Sequence, residues 1–185
     1  MQREVKFAGF GGQGILTAGK FLAEVGMEED KEVAWVPSYG PEMRGGTAYC
    51  TVVVADRPIG SPVVNTPMDL VAMNRPSLEK FEPTVKAGGF ILVNSSLIPD
   101  RVQRDDVIEI LVPCNDEAIK LGNNRGANMV ALGSYVACAG VVNLDAVLAH
   151  VKDAFARKPQ FVEANLACIR RGAEIAKEQM AEAMA

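Results

Sequence analysis

The chain has 185 residues, of which 49% are hydrophobic, so it is long enough for one well-formed core and short for two. Its formal net charge of -4 argues against a nucleic-acid-binding surface, which would need a basic face. Met1–Glu4 lead into too short an apolar run for a signal peptide, and no apolar stretch is as long as a membrane span. We expect one α/β domain over residues 1–185 of a cytoplasmic protein that contacts neither nucleic acid nor membrane.

Strand and helix patterns alternate along the chain. Strands are predicted at Lys6–Ala8, Val33–Val36, Tyr49–Val54, Met68–Met73, Phe90–Asn94 and Val107–Val112. Helices are predicted at Ile15–Val25, from Ser77, whose hydroxyl can cap it, and at Asp116–Leu121, Asn128–Gly140, Leu144–Phe155 and about Gln160–Met180. This alternation predicts a three-layer, Rossmann-like α/β fold, whose mostly parallel sheet has helices on both faces and the Tyr49 strand as a small antiparallel insertion.

A glycine-rich segment follows the first predicted strand and precedes the first predicted helix. It comprises Gly9, Phe10, Gly11, Gly12, Gln13 and Gly14, with the G-x-G-x-x-G spacing of a dinucleotide-binding turn. Such a turn lets the backbone and the first helical N–H groups approach an anion. A nicotinamide or flavin site would also need an acidic residue at the tip of the next strand, yet Val36 runs into Pro37. The segment is therefore interpreted as a phosphate-sized site, or simply as a tight turn.

A second unusual loop follows the second predicted strand. It contains Ser38, Tyr39, Gly40, Pro41, Glu42, Met43, Arg44, Gly45 and Gly46. The Arg44 guanidinium suits a carboxylate or a phosphate, but it could equally pair with Glu42 or with a backbone carbonyl. The loop is thus either a ligand-contact loop or a docking loop for another subunit. Because parallel strands share one carboxyl edge, we expect the two loops, Asn74 and Asn94–Ser96 to meet along one rim.

The cysteines and the only histidine do not suggest a catalytic or metal site. Cys50, Cys114, Cys138 and Cys168 stand singly, without a C-x-x-C pair or a neighbouring histidine. We therefore expect no zinc and no iron–sulfur cluster on this chain, and we place Cys138 and Cys168 in the core. His150 falls near the end of the helical pattern Leu144–Phe155, where a structural or solvent-facing role is expected. No catalytic residue is assigned.

The two loops together, with Asp69–Asn74, resemble the gamma subunit of the 2-oxoacid:ferredoxin oxidoreductases, and the resemblance covers nearly the whole chain. It implies a share in the oxidative decarboxylation of a 2-oxoacid with coenzyme A to an acyl-CoA, carbon dioxide and reduced ferredoxin. The sequence of residues Tyr39–Gly46 resembles that of the 2-oxoglutarate or branched-chain enzymes more closely than that of the pyruvate enzymes.

The resemblance also implies a division of labour. Thiamine diphosphate and the iron–sulfur clusters would be on alpha, beta and delta-type partner chains, and this chain would hold no cofactor tightly and would be inert alone. Coenzyme A is the co-substrate of such a complex, and its side of the reaction is assigned to Gly9, Gly11, Gly12, Gln13, Gly14, Ser38, Tyr39, Gly40, Arg44, Gly45 and Gly46. Two alternatives stay open: a stand-alone nucleotide- or flavin-binding protein, and a purely architectural subunit whose loops contact only protein.

Overall fold

The computed structural model describes residues 1–38 and 47–183. Its strands and helices are β1 (Gln2–Phe10), α1 (Ile15–Glu28), β2 (Glu32–Ser38), β3 (Thr47–Ala55), β4 (Asp69–Ala72), α2 (Arg75–Phe81), β5 (Phe90–Asn94), β6 (Ile108–Val112), α3 (Cys114–Lys120), α4 (Ala127–Ala139), α5 (Leu144–Ala154) and α6 (Val162–Ala183). Each predicted element is present, with its ends shifted by a few residues. No helix in these two ranges is both long and apolar enough to span a bilayer.

The six strands form one mixed sheet in the order β2-β3-β1-β4-β5-β6. β1, β4, β5 and β6 are parallel to one another, whereas β3 is antiparallel to both of its neighbours, β1 and β2. This confirms the mostly parallel sheet and the antiparallel insertion. β3 lies between β1 and β2 in the sheet. In a simple βαβ unit, by contrast, the two strands that flank the helix are neighbours in the sheet.

Helices cover the two faces of the sheet unequally. The larger core lies under α1, α3, α4, α5 and α6, and it includes the alternate β1 residues Val5 and Phe7. The smaller core lies on the opposite face, where Leu78 and Phe81 of α2 pack on Ala8 and Ala72. The three-layer prediction is confirmed, with most of the apolar burial on one side.

Two glycines bring α4 and α6 into backbone contact. A Cβ atom on Gly133 would lie 2.0 Å from the Ile169 carbonyl oxygen, and one on Gly172 would lie 2.0 Å from the Val130 carbonyl oxygen. The buried Ser134 hydroxyl lies 2.9 Å from the carbonyl oxygens of both Val130 and Gly172. No larger residue fits at either glycine without moving a helix backbone, so the small residues of α4 serve internal packing.

The predicted cap of α2 is wrong. The helix begins at Arg75, and the residue before it, Asn74, accepts the Ser77 N–H through its side-chain oxygen at 2.9 Å. Pro76 suits the first turn because its missing N–H needs no partner there. The Ser77 hydroxyl is buried without a hydrogen-bond partner among the described residues. An Asn cap three residues earlier therefore replaces the predicted Ser cap.

A buried carboxylate fastens the centre of the sheet to α4. Asp69 is 0% exposed and accepts hydrogen bonds from Arg3 Nε at 2.6 Å, Arg3 Nη2 at 2.9 Å, the Phe90 N–H at 2.9 Å and the Tyr135 hydroxyl at 3.0 Å. Burial, followed by the Asp69 charge, raises the pKa of Tyr135 well above its usual value, so its hydroxyl stays a donor. One side chain thus joins β1, β4, β5 and α4.

We expect Asp69→Asn to lower the free energy of unfolding by about 3–5 kcal/mol, because it leaves the half-buried Arg3 guanidinium without a counter-charge. Tyr135→Phe should cost about 1–2 kcal/mol, since it removes one hydrogen bond to the same carboxylate. Urea unfolding followed by circular dichroism measures both. Asp56→Asn is the control, because among the described residues the exposed Asp56 carboxylate forms an ion pair with the N-terminus alone. Equal losses of unfolding free energy for Asp69→Asn and Asp56→Asn would contradict a stabilising role of the buried Asp69 carboxylate.

A second buried carboxylate joins α3 to α6. The Glu117 side chain is 8% exposed and accepts from Lys120 Nζ at 2.6 Å and from Arg171 Nε at 2.7 Å. These hydrogen bonds, first from Lys120 and then from Arg171, hold the pKa of Glu117 below its ordinary value of 4.5. Because the folded pKa is depressed, the contribution to stability is complete above pH 4.5 and is lost as the pH falls through the folded pKa.

Glu117→Gln should therefore lower the free energy of unfolding by about 1–2 kcal/mol at pH 7, and the difference from wild type should shrink towards pH 3. Denaturant unfolding at both pH values gives the comparison. Glu174→Gln is the matched control on α6, since Glu174 also meets Arg171 but is 62% exposed, and it should cost less than about 0.5 kcal/mol. A pH-independent difference for Glu117→Gln would rule out this ion-pair contribution.

Candidate functional site

The glycine-rich segment Gly9–Gly14 connects the carboxyl end of β1 to α1 and is held in place by one of its own side chains. The Phe10 N–H donates to Gln13 Oε1 at 2.6 Å, and Gln13 Nε2 donates to the Met73 carbonyl oxygen at 3.2 Å. Gln13 therefore closes the turn on itself and ties it to the end of β4. The sequence placed Gln13 in the site but did not reveal this clamp.

Three glycines of the turn are required by the backbone or by packing. A Cβ atom on Gly9 would lie 2.6 Å from Gln13 Oε1, and one on Gly14 would lie 2.5 Å from Asn128 Nδ2. Gly12 and Gly14 have φ angles of 94° and 73°, in the left-handed region that favours glycine. Because Gly11 and Gly12 are exposed, a ligand can reach their backbone directly.

The N-terminus of α1 opens at this turn without a cap. Gly14 precedes the helix, no side chain of the described residues accepts from its first N–H groups, and the first turn carries no acidic residue. These N–H groups have no partner within the helix and present positive partial charge. Over a 14-residue helix, this arrangement favours a phosphate or a carboxylate at the turn.

A groove of about 570 Å³ adjoins the turn on the helical side of the sheet. Asn128 connects the two, since its Nδ2 donates to the Gly14 carbonyl oxygen at 3.1 Å. Two exposed cations, Arg125 and Lys158, lie on the groove, and neither pairs with a carboxylate of the described residues. The other lining residues are Thr17, Gly122, Asn123, Asn124, Asn128, Met129, Phe155, Gln160, Phe161, Ala164 and Asn165. The candidate site is thus a turn whose free N–H groups favour an anion, beside a groove of mixed polar and apolar lining that carries two exposed cations.

Sequence reasoning missed this groove, although a signal is present. Residues 122–126 read Gly-Asn-Asn-Arg-Gly, a turn-forming segment that places a guanidinium directly before a buried helix. Asn123 Nδ2 donates to Asn165 Oδ1 at 2.8 Å, which fixes this segment against α6. A long-range contact of this kind has no local sequence pattern.

Part of the predicted rim forms around the end of β4. Asn74 Nδ2 lies 3.4 Å from Gln13 Oε1, and Asn94 Nδ2 lies 3.4 Å from the Met73 carbonyl oxygen. The buried Asn94 also accepts the Cys114 N–H at 3.1 Å, which positions the start of α3. The structure therefore brings the glycine-rich turn, Asn74 and Asn94 together.

The second predicted loop is only partly described. Ser38 ends β2 at the same edge of the sheet, but the register runs from Ala8 across Tyr49 to Ser38, so Ser38 is two strands away from the turn. That separation is about 10 Å, and Ser38 lines a different groove, on the opposite face. The remaining predicted site residues lie outside the described residues: Tyr39, Gly40, Arg44, Gly45 and Gly46.

The strand order argues against a dinucleotide site of the usual kind. In a classic Rossmann fold, the strand after the glycine-rich turn pairs directly with the first strand and places its acidic tip beside the ribose. Here antiparallel β3 occupies that position, and β2 ends in Pro37 and Ser38. The acidic residues of this region lie instead at the amino-terminal end of β2, in the turn that follows α1: Glu28, Glu29 and Glu32.

The thiols and the histidine have structural surroundings. Burial raises the pKa of Cys50 and of Cys138 to about 12, and it also raises the pKa of Cys114 and Cys168. His150 joins α5 to α1, with Nε2 3.1 Å from Glu24 and Nδ1 2.7 Å from Glu28. Within residues 1–38 and 47–183, no three His, Cys, Asp or Glu side chains are grouped to hold a metal ion.

Comparison with known proteins identifies the relatives. A family model described as pyruvate ferredoxin/flavodoxin oxidoreductase matches residues 4–175. The ketoisovalerate oxidoreductase subunit VorA of Methanothermobacter thermautotrophicus is 42% identical over 95% of this chain, which spans only 37% of that protein. The 2-oxoglutarate synthase subunit KorC of Methanocaldococcus jannaschii is 34% identical, and the match covers 96% of both chains.

Solved structures agree in fold. The gamma subunit of a keto/oxoacid ferredoxin oxidoreductase from Geobacter sulfurreducens matches with a TM-score of 0.82 and 31% identity, over 95% of this chain and 99% of that one. A 2-oxoglutarate:ferredoxin oxidoreductase from Magnetococcus marinus, solved with 2-oxoglutarate, coenzyme A and succinyl-CoA bound, matches with a TM-score of 0.87 and 23% identity. That match covers 96% of this chain and 31% of the Magnetococcus chain. The chain therefore belongs to the pyruvate ferredoxin/flavodoxin oxidoreductase family, in which its relatives include gamma subunits.

Proposed function

We propose that this chain is the gamma subunit of a 2-oxoacid:ferredoxin oxidoreductase and that it supplies the coenzyme A side of the reaction. The complex would decarboxylate a 2-oxoacid, transfer the acyl group to the coenzyme A thiol and pass the electrons to ferredoxin. The family match over residues 4–175 and the full-length match to KorC support this assignment.

The observation that carries the coenzyme A role is the uncapped start of α1 beside a basic groove. Coenzyme A bears a diphosphate and a 3′-phosphate, so it needs both N–H donors and cations. The turn at Gly12–Gly14 offers the donors, and Arg125 and Lys158 offer the cations in the groove that Asn128 connects to the turn. The Magnetococcus relative, of the same fold, was solved with coenzyme A bound, which supports the choice of ligand.

The other parts of the reaction would belong to partner chains. Thiamine diphosphate and the iron–sulfur clusters are assigned to alpha, beta and delta-type subunits, because the four thiols of this chain lie on separate elements and burial disfavours their thiolate forms. The VorA relative is much longer than this chain, which is consistent with this domain working beside others. Alone, the chain would be inert, and its four free thiols favour a reducing, cytoplasmic compartment.

We infer that the 2-oxoacid is 2-oxoglutarate or a branched-chain acid rather than pyruvate. The relatives named for ketoisovalerate and 2-oxoglutarate are 42% and 34% identical, whereas the pyruvate/ketoisovalerate common gamma subunit of Thermococcus litoralis is 29% identical.

Arg125→Gln should weaken coenzyme A binding to the purified chain by about 5- to 10-fold, because it removes one charged contact to a phosphate. Lys158→Gln should have a similar but smaller effect, since an ammonium makes no bidentate contact. Isothermal titration gives the affinities, and dephospho-coenzyme A shows which cation serves the 3′-phosphate. Lys152→Gln, an exposed lysine of α5 outside the groove, should leave the affinity unchanged.

Three outcomes would contradict this proposal in different ways. Saturable binding of NAD or FAD, without affinity for coenzyme A, would favour a stand-alone dinucleotide-binding protein. Equal losses for Lys152→Gln and Arg125→Gln would place the ligand elsewhere. Assembly with alpha and beta chains, without any effect of the groove variants on the KM for coenzyme A in the complex, would favour a purely architectural subunit.

A further inference from the structure

A second groove lies on the opposite face of the sheet, over β1, β2 and β3. Its volume is about 320 Å³, and its lining residues are Lys6, Val36, Pro37, Ser38, Tyr49, Thr51, Pro62, Val63, Val64 and Asn65. α1 packs on the other face of these strands, and the described helix on this side, α2, packs over β1 and β4 instead. The groove is thus separate from the coenzyme A surface proposed above.

One lining residue of this groove, Lys6, is a buried cation. Lys6 is 6% exposed and stands in one row across the sheet with Thr51 of β3 and Val36 of β2. Its Nζ lies 4.4 Å from the centre of the Phe81 ring and 5.2 Å from the centre of the Tyr49 ring. The two rings hold the cation but do not neutralise it.

No carboxylate of the described residues pairs with Lys6. The acidic residue nearest to it along the same face of β1, Glu4, is already bound by Lys86 at 2.9 Å and by Gln2 at 2.9 Å. A second ammonium, that of Lys80, lies over the same two rings, 5.3 Å and 5.8 Å from their centres. Burial, followed by repulsion from Lys80, lowers the pKa of Lys6. A buried cation with a like charge beside it calls for an anion.

The surroundings of the ammonium select the kind of anion. Val36 and Val63 are 41% and 71% exposed, and the prolines Pro37 and Pro62 complete an apolar wall. Hydroxyl groups of Ser38 and Thr51 and the Asn65 amide lie on the same groove. The volume suits a ligand of a few carbon atoms, smaller than a nucleotide. A charged head with a short alkyl body matches this lining better than inorganic phosphate does.

We propose that this groove binds a small aliphatic carboxylate, whose carboxylate group pairs with the Lys6 ammonium and whose alkyl group packs on Val36 and Val63. The site would act beside the oxidoreductase role rather than through it, because it shares no residue with the turn at Gly9–Gly14 or with the Arg125 groove. Its ligand class, a short organic acid, is independent of coenzyme A binding.

The test is a titration of the full chain, carrying ¹³Cε-labelled lysine, with isovalerate. We expect the Lys6 resonance to shift saturably, with an apparent Kd on the order of 1 mM, as a ligand of about seven non-hydrogen atoms with one ion pair allows. Isovaleramide, which has the same shape but no charge, and inorganic phosphate at equal ionic strength should shift it at least about 10-fold less. Lys6→Met assigns the resonance, and it should abolish binding of ¹⁴C-isovalerate in equilibrium dialysis. The control is Lys20→Met, which should leave binding unchanged because Lys20 is an exposed residue of α1 on the other face of the sheet.

Because the first readout uses the wild-type chain, it remains valid if Lys6→Met fails to fold. An unsaturable response, or an equal response to isovaleramide, would overturn the proposal. A change of the Lys6 resonance in Glu42→Gln without added ligand would also overturn it, since the anion would then be part of the chain itself. Loss of partner subunits from the Lys6→Met complex, with isovalerate binding unchanged in that variant, would identify the groove as a protein interface instead.

Discussion

The carboxylate of Asp69 is the constraint on which the sheet and its main helical layer depend. It is fully buried and receives four hydrogen bonds, from Arg3, Phe90 and Tyr135, which belong to three different elements. A charge in such a place is tolerated only when every partner is present, because desolvation costs several kcal/mol otherwise. The network therefore fixes how β1, β4, β5 and α4 lie relative to one another.

The candidate site depends on three of the same elements, β1, β4 and α4, at the other end of the strands. Gln13 fastens the turn after β1 to the carbonyl oxygen of Met73 after β4, and Asn128 at the start of α4 fastens it to Gly14. The turn is thus held from two sides, while Gly11 and Gly12 stay exposed. A backbone anion site needs this combination of fixed geometry and open access, because the N–H donors must not rearrange on binding.

Much of this architecture could be predicted from the sequence, and the failures have physical causes. The β-branched run of β3 and the buried run of β5 have strong local patterns, so their type was predicted correctly. The glycine-rich turn was recognisable because Gly12 and Gly14 adopt backbone angles that other residues avoid. The groove that contains Arg125 has no local sequence pattern, because it depends on contacts such as Asn123–Asn165 between residues more than 40 positions apart in the sequence. The cap of α2 was misplaced because Asn74 and Ser77 are both good cap residues.

If the proposed function is correct, the turn at Gly9–Gly14 and the adjoining groove form one coenzyme A site. Backbone amide resonances of the ¹⁵N-labelled chain, followed during titration with coenzyme A, test it most directly. We expect saturable shifts for residues 11–17 and 123–128, with the same apparent Kd for both segments and no comparable shifts with NAD. Unchanged amide resonances for residues 11–17, or different binding curves for the two segments, would contradict a single site.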